Sequence, residues 1–439
     1  MTEQLKLKLN DSKATRWGAL VIVAFTMMAA YYVNDVVAPL KTMLETDLAW
    51  SSTDFGFFTG GYSFLNVFFL MLIWGGLILD RFGIRFTGKL ATILMVGGTA
   101  LEYYAMTGLA GADATLFGIN EIFGYKTGVF VAFAGYSIFG VGAEVAGITV
   151  SKIIAKWFKG KELATAMGVQ VALARIGSQA GYAVAIPLAR AFGISTPVLL
   201  GLVLLLGGMI AFFIFAVMDK KLDKQMEAAA IAAGTEDEEE KFSFKDVKNI
   251  LVNPGFWLIA LLCVLFYSCV FPFQKFASEL MIIKYGINEN VAGTFAGLPA
   301  LGALILTPIF GGFIDKRGKS ASIMLLGSAM LICVHFIYAI PDINYWLVAI
   351  VLMIILGIAF SLVPSAMWPA VAKIFPVSQL GTAYALIFFI QNIGLWGIPT
   401  LIGWVLDAYC ISGKKPDGTN MYDYTVPMCI LPVLPACPL

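Results

Sequence analysis

The sequence predicts an all-α membrane protein built from two related six-helix halves. Of its 439 residues, 59% are hydrophobic and 13% are charged, whereas a soluble domain carries about 25% charged residues. About twelve apolar segments follow one another along the chain, and a spanning helix needs roughly 20 such residues. Because only helices and closed barrels satisfy the backbone in lipid, and these segments are too long for barrel strands, we expect helices.

The segments are separated by short polar loops. They lie near 17–38, 55–79, 88–109, 126–150, 163–192, 195–218, 254–283, 290–314, 320–340, 344–371 and 380–406. The first is too long for the apolar core of a signal peptide, so it is expected to remain as helix 1. A twelfth begins near Tyr424, but 15 residues and four prolines follow it. Since proline removes a backbone donor, helix 12 is predicted to be incomplete.

Lysine and arginine residues concentrate in alternate loops. They occur before the first segment, near 81–89, 152–161, 316–319 and 373, and throughout 219–253. This asymmetry places the N-terminus in the cytoplasm. The short loops favour a bacterial cytoplasmic membrane, and a monomer is the expected state.

One long charged segment divides the chain. It contains the acidic run 236–240, and runs of like charge are typically solvated and disordered. We therefore predict an N-terminal six-helix half at 1–218, a charged cytoplasmic linker at 219–253 and a C-terminal half at 254–439.

An internal repeat relates the two halves. Eight residues recur at one constant offset: Ala155, Lys156, Phe158, Leu163, Thr165, Ala166, Ile176 and Gly177 correspond to Ala372, Lys373, Phe375, Leu380, Thr382, Ala383, Ile393 and Gly394. A second similarity joins 75–83 to 311–318. Both copies are predicted on the same side of the membrane, so the halves are related by an axis along the membrane normal. A solute is then expected to bind between them, near mid-bilayer.

The loop between segments 2 and 3 resembles a known signature. Residues 76–85 read Gly-Leu-Ile-Leu-Asp-Arg-Phe-Gly-Ile-Arg and are similar to the signature loop of the major facilitator superfamily. The resemblance implies the major facilitator fold, two bundles around a central cavity. It also implies gating roles for Asp80 and Arg81, with Arg85 and the repeat's Asp315. The alternative is a loop that is basic only because it faces the cytoplasm.

Several separated motifs, in the right order, resemble the lysosomal dipeptide uniporter family of this superfamily. They lie at 157–163, 174–178, 271–273, 368–369, 379–384 and 391–392. The resemblance implies transport of short peptides without an obligatory driving ion. Helix 7 departs from the family, because Ser278 stands near the place of a lysine while Lys275 and Glu279 are charged instead.

Two of the charges inside the apolar segments stand out, since a charge at mid-bilayer costs about 2.5–3.5 kcal/mol on insertion scales and normally marks a pathway. They are Glu144 and Arg175, and their repeat counterparts are the neutral Ser361 and Asn392. A dipeptide is a zwitterion, and arginine can bind a carboxylate through two parallel hydrogen bonds. We therefore predict that Arg175 binds the substrate carboxylate and Glu144 the ammonium group, matching the family's charges. The alternative is that the two pair with each other.

Other charged residues have open assignments. Lys275 and Glu279 share a helix face, so they either pair, or Lys275 meets the substrate carboxylate with Glu279 nearer the outside. Asp35 is a helix-end residue or a cavity contact. Glu102 is predicted to be interfacial, and His335 is expected to be a hydrogen-bonded core residue rather than a proton relay.

Polar and aromatic residues are predicted to complete the binding site. They are Tyr62, Gln170, Tyr267, Trp368, Gln391 and Asn392. The single histidine excludes the usual metallohydrolase sites. The cysteines do not have metal-site spacing and no phosphate-loop motif has the right spacing, so no metal or cofactor is expected. A net charge of +1 gives no basic surface for nucleic acid. The main alternative is an organic-anion antiporter or a proton symporter in which Arg175 and Lys275 bind a carboxylate.

Overall fold

The computed structural model is predominantly helical and describes residues 8–111, 114–159, 161–233, 244–375 and 377–436. Two 3₁₀ helices, Leu9–Asp11 and Ala38–Leu40, and two short hairpins accompany the α-helices. The hairpins pair β1 (Glu121–Ile122) with β2 (Tyr125–Lys126), and β3 (Ile411–Lys414) with β4 (Asn420–Tyr422).

Seven helices belong to the first half: α1 (Lys13–Val36), α2 (Lys41–Asp47), α3 (Ser52–Phe68), α4 (Met71–Thr107), α5 (Thr127–Trp157), α6 (Leu163–Phe192) and α7 (Thr196–Ala233). Eight follow: α8 (Phe244–Val252), α9 (Pro254–Tyr285), α10 (Glu289–Ala296), α11 (Leu298–Arg317), α12 (Ser320–Ala339), α13 (Trp346–Ile374), α14 (Val377–Tyr409) and α15 (Thr425–Ala436).

The second and third predicted segments meet inside α4. Helices α3 and α4 are bent by 58° at Leu70, whose φ is 55°. The chain turns again at Gly83, where φ is 75° and ψ is 173°. Glycine adopts this conformation without steric cost, so Gly83 marks the end of segment 2 and the start of segment 3.

Eight of the described helices are long and apolar enough to cross a membrane, or nine if the bent α3–α4 pair is one span. Helix α6 falls outside this set and carries Gln170 and Arg175. Helix α15 also falls outside it, because its 12 residues are fewer than the roughly 20 that a span needs. The last helix is therefore short, as the sequence predicted.

The predicted linker is more ordered than expected. Helix α7 continues to Ala233, and α8 occupies 244–252, so helix covers both ends of the segment 219–253. The acidic run 236–240 lies outside the described residues.

The two faces of the bundle differ in packing. We call the face with the start of α1 and the turn at Gly83 the N-terminal side, and the other face the opposite side. At the opposite side α3 and α14 touch without intervening side chains, because a Cβ at Gly403 would overlap the carbonyl oxygen of Ser52 and lie 3.0 Å from the Cα of Gly56. The halves are therefore closed together on that side.

Replacing Gly403 with alanine is expected to lower the melting temperature of the purified protein. The added methyl group overlaps backbone that cannot rotate away, and such overpacking costs about 1–3 kcal/mol. Gly397 lies on the same helix with nothing within 4 Å of an added Cβ, so Gly397→Ala is the matched control. Thermal unfolding followed by fluorescence tests this. Equal melting temperatures for the two variants would contradict the packing described here.

Candidate substrate-binding site

A central cavity of about 1120 Å³ lies between the two halves. At one end it is lined by Asn34 and Lys275, and at the other by Leu77, Asp80 and Ser151. Asp80 and Ser151 are exposed at the N-terminal side. The cavity therefore opens on the N-terminal side and ends toward the opposite side.

Glu144 lies on the cavity wall in α5. Helices α3 and α5 approach closely because Gly140 has no side chain: a Cβ there would overlap the carbonyl oxygen of Tyr62. The Tyr62 hydroxyl donates to Glu144 Oε1 over 3.0 Å. The Glu144 side chain is half-buried, so a neutral donor orients this carboxylate while the cavity keeps it accessible to a solute.

Arg175 lies on the same wall in α6 and is also half-buried. Its guanidinium carbon is 4.9 Å from the ring centroid of Phe360 and 5.6 Å from that of Tyr31. Arginine stacks on aromatic faces while the N–H groups at its edge remain available for a carboxylate. Among the described residues no carboxylate forms an ion pair with Arg175, so the alternative Glu144–Arg175 pair is not formed in this structure.

Lys275 joins the two halves at the closed end of the cavity. Its Nζ donates to the carbonyl oxygen of Asn34 over 2.5 Å and to Asp35 Oδ1 over 3.1 Å. Asp35 also accepts hydrogen bonds from the Ser178 hydroxyl and, over 2.8 Å, from Asn34 Nδ2. Of the two alternatives for Asp35, the structure supports the helix end, because Asp35 is the penultimate residue of α1 and does not itself line the cavity.

Glu279, predicted to contact the solute, does not line the cavity. It lies one turn beyond Lys275 on α9 and bonds to Lys41 and to the Tyr424 hydroxyl. Lys41 also donates to Glu45 over 2.5 Å, and Lys415 lies 3.4 Å from both glutamates. We call Lys41, Glu45, Glu279 and Lys415 the ion cluster. It joins the halves on the opposite side, and it is the reason that Lys275 and Glu279 do not pair.

Five of the six predicted polar and aromatic residues line the cavity: Tyr62, Gln170, Tyr267, Trp368 and Gln391. Trp368 Nε1 donates to the Tyr267 hydroxyl over 3.3 Å. Asn392 does not line the cavity, because it is buried and its amide donates to the carbonyl oxygen of Phe388 over 2.9 Å.

The predicted gating residues bond within one half. Asp80 pairs with Lys152 over 3.0 Å and Arg85 with Asp223 over 3.0 Å. Arg81 is exposed, with its guanidinium carbon 5.6 Å from the ring centroid of Phe82. The Asp315 side chain lies outside the described part of the chain. These ion pairs do not connect the two halves, which agrees with a cavity that is open on this side. The gating role of these residues stays a prediction.

Sequence reasoning missed or misplaced other residues. Phe360 was not identified, although it directly precedes Ser361, the repeat counterpart of Glu144. Glu102, predicted to be interfacial, is 0% exposed, because α4 packs this residue against α5 inside the bundle. His335 is also fully buried, with Nδ1 2.9 Å from the carbonyl oxygen of Leu331, as expected for a core histidine.

Comparison with known families decides the identity of the fold. The family model of the Major Facilitator Superfamily matches residues 20–397. The chain belongs to the Major Facilitator Superfamily. The predicted family and fold are thereby confirmed, and this member of the superfamily is a multi-pass membrane transporter.

Several curated relatives share one name, "lysosomal dipeptide transporter MFSD1". The Homo sapiens protein is 29% identical over 409 residues, which cover 90% of this chain and 81% of the relative. The Danio rerio protein is 28% identical over 400 residues, which cover 89% of this chain and 80% of the relative. The Gallus gallus protein is 33% identical over 287 residues, with 62% of each chain covered.

Solved structures share the fold at lower identity. A mutant of the nucleoside transporter NupG gives a TM-score of 0.70 at 12% identity, with 96% of this chain and 97% of that chain covered. The inward open conformation of the xylose transporter XylE from E. coli gives a TM-score of 0.67 at 15% identity, and the match covers 96% of this chain and 95% of that chain. These similarities support the architecture and say nothing about the solute.

Proposed function

We propose that this superfamily member transports dipeptides by alternating access. One observation carries the proposal: a half-buried carboxylate, Glu144, and a half-buried guanidinium, Arg175, share a cavity wall without pairing. A dipeptide presents one ammonium and one carboxylate group, so the two side chains complement its two ends. The MFSD1 relatives, named as dipeptide transporters, support this choice of solute.

The size of the cavity fits a solute with variable side chains. Small-molecule sites typically measure about 300–1,000 Å³, and this cavity of about 1120 Å³ exceeds that range. The C-terminal half contributes Tyr267, Trp368 and Gln391 to its lining. Aromatic rings and an amide accept both polar and apolar groups, which favours a peptide over a single defined metabolite.

The orientation follows from the distribution of basic residues. Lysine and arginine residues at 81–89, 152–161 and 316–319 make the N-terminal side the cytoplasmic side. The cavity then faces the cytoplasm, and the ion cluster closes the outer side. We propose a monomer in a bacterial cytoplasmic membrane, with 1–218 and 254–439 as the two moving halves and 219–253 as the linker. When the outer side opens, Asp80, Arg81, Arg85 and Asp315 would close the cytoplasmic side.

Counterflow in proteoliposomes tests the solute class. Vesicles loaded with an unlabelled dipeptide are expected to take up a labelled dipeptide, and free dipeptides are expected to compete. An N-acetylated dipeptide and a dipeptide amide, each lacking one end charge, should compete poorly. Competition by dicarboxylates without competition by dipeptides would replace this proposal with the organic-anion antiporter.

Replacing Tyr62 with phenylalanine is expected to raise the KM for dipeptides with little change in maximal rate. The change removes one hydrogen bond, worth about 0.5–1.5 kcal/mol, and frees the Glu144 carboxylate to rotate. Tyr384→Phe is the matched control, because Tyr384 also lines the cavity but its hydroxyl donates to the carbonyl oxygen of Trp368. Concentration-dependent counterflow measures both. An unchanged KM in Tyr62→Phe would show that this hydroxyl does not orient the binding group.

A further inference from the structure

Two phenylalanines lie at the tips of the loop that joins α4 to α5 on the opposite side of the bundle. Phe117 is 96% exposed and Phe123 is 88% exposed. Phe117 lies in a turn whose flanking residues, Leu116 and Ile119, exchange two backbone hydrogen bonds of 3.0 Å. Phe123 lies in the turn of the β1–β2 hairpin. We call residues 114–126, which contain both turns, the aromatic finger.

The backbone of these turns does not favour phenylalanine. Phe117 and Gly118 have φ values of 54° and 80°, and Phe123 and Gly124 have φ values of 52° and 81°. Positive φ at both central residues is the mark of a type I′ turn, in which asparagine, aspartate or glycine is preferred at the first position. A bulky residue in this conformation is strained. A favourable contact of the two rings is therefore needed to account for them.

The aromatic finger continues the lipid-facing surface of the bundle. The Phe123 ring lies 5.9 Å from the ring of Phe130 on α5, and the Tyr125 ring stacks on Phe57 of α3 with 3.9 Å between the centroids. Phe57, Phe130 and, further along α3, Phe64 are partly exposed. None of these three lines the central cavity. Their exposed surfaces therefore face lipid, and the finger extends that surface.

Hydrogen bonds attach the aromatic finger to the ends of two helices. Thr127, the first residue of α5, donates through Oγ1 to the carbonyl oxygen of Ile119 over 2.8 Å. Its backbone nitrogen donates to the carbonyl oxygen of Asn120 over 3.0 Å. Lys126 donates to the carbonyl oxygen of Ala49, which precedes α3. The finger therefore keeps a fixed position relative to the N-terminal half.

We propose that the aromatic finger inserts into the lipid leaflet on the opposite side and anchors the N-terminal half at that level. Transfer of the two rings from water to acyl chains is favourable, and Glu121 is the one charge of the finger before Lys126. A protein partner fits less well, because a stable protein interface uses about 20–30 residues a side. The large apolar residues exposed on the finger are Phe117, Ile119 and Phe123.

Photocrosslinking in proteoliposomes tests the contact. p-Benzoylphenylalanine replaces Phe117 or Phe123, and it replaces Asp417 in the control. Asp417 is exposed in the turn of the β3–β4 hairpin on the same side. After irradiation, intact-mass spectra are expected to show the addition of one phospholipid at either tip, several-fold more abundant than at the control position.

Fluorescence quenching gives an independent measure. Phe123→Trp adds a tryptophan at one tip, and lipids brominated near the glycerol end of the acyl chains should quench the fluorescence gained over the wild type. The same gain in Asp417→Trp should be quenched several-fold less. Covalent dimers after irradiation would overturn the proposal and identify a second copy of the chain as the occupant. Adducts and quenching no greater at the tips than at position 417 would overturn it as well.

Discussion

Replacing Arg175 with glutamine is expected to abolish measurable dipeptide uptake. The proposed bond joins a guanidinium and a carboxylate in a half-buried site, and truncating one partner of such a pair costs about 2–5 kcal/mol. Because each 1.4 kcal/mol is a factor of ten in affinity, binding should weaken by about 30-fold or more. Counterflow at dipeptide concentrations below the wild-type KM measures this loss.

The fold should tolerate the Arg175 change, because no ion pair to another described residue is lost. Arg175→Lys is expected to be intermediate, since lysine keeps the charge but lacks the planar fork and the stacking on Tyr31 and Phe360. Arg317→Gln, an exposed charge on α11, is the control for altered net charge. Wild-type uptake by a well-folded Arg175→Gln protein would remove Arg175 from the binding site.

The sequence was sufficient for the fold and for one wall of the cavity. Long apolar segments determine where helices form, because the backbone has no other way to be satisfied in lipid. Glu144 and Arg175 stood out because each is costly in such a segment and each has a neutral counterpart in the repeat. Local composition and the internal repeat are enough to single out these residues, and neither depends on contacts between the halves.

The contacts between halves could not be predicted in the same way. Glu279 meets Lys41, 238 residues away in sequence, while helical spacing alone suggested a bond to Lys275. Glu102 was misplaced because neighbouring tyrosines are typical of the membrane interface, whereas the close packing of α4 on α5 buries it. The burial of a side chain and the identity of its bonding partner depend on how the helices cross. The periodicity of residues along one helix does not contain that information.

Replacing Lys41 with methionine is expected to open the side of the protein that the ion cluster closes. Lys41 bonds to Glu45 and Glu279. Without the Lys41 ammonium group, the two carboxylates would share only Lys415, which lies 3.4 Å from each. Breaking a buried ion pair by removing one partner costs about 3–5 kcal/mol. That cost falls only on the state in which the halves are closed on the opposite side. The variant should therefore favour the other state and transport slowly.

Spin labels on two exposed residues, Asp47 and Asp417, measure the separation of the halves across this cluster. We expect a longer distance in Lys41→Met than in the wild type. The double variant Lys41→Met with Glu279→Gln removes one charge of each sign and leaves Glu45 with Lys415, so it should recover the short distance. That recovery would distinguish charge imbalance from lost packing, because the double variant restores no buried contact of the lysine. An unchanged distance in Lys41→Met would mean that the glycine contacts between α3 and α14 are sufficient to hold the halves closed.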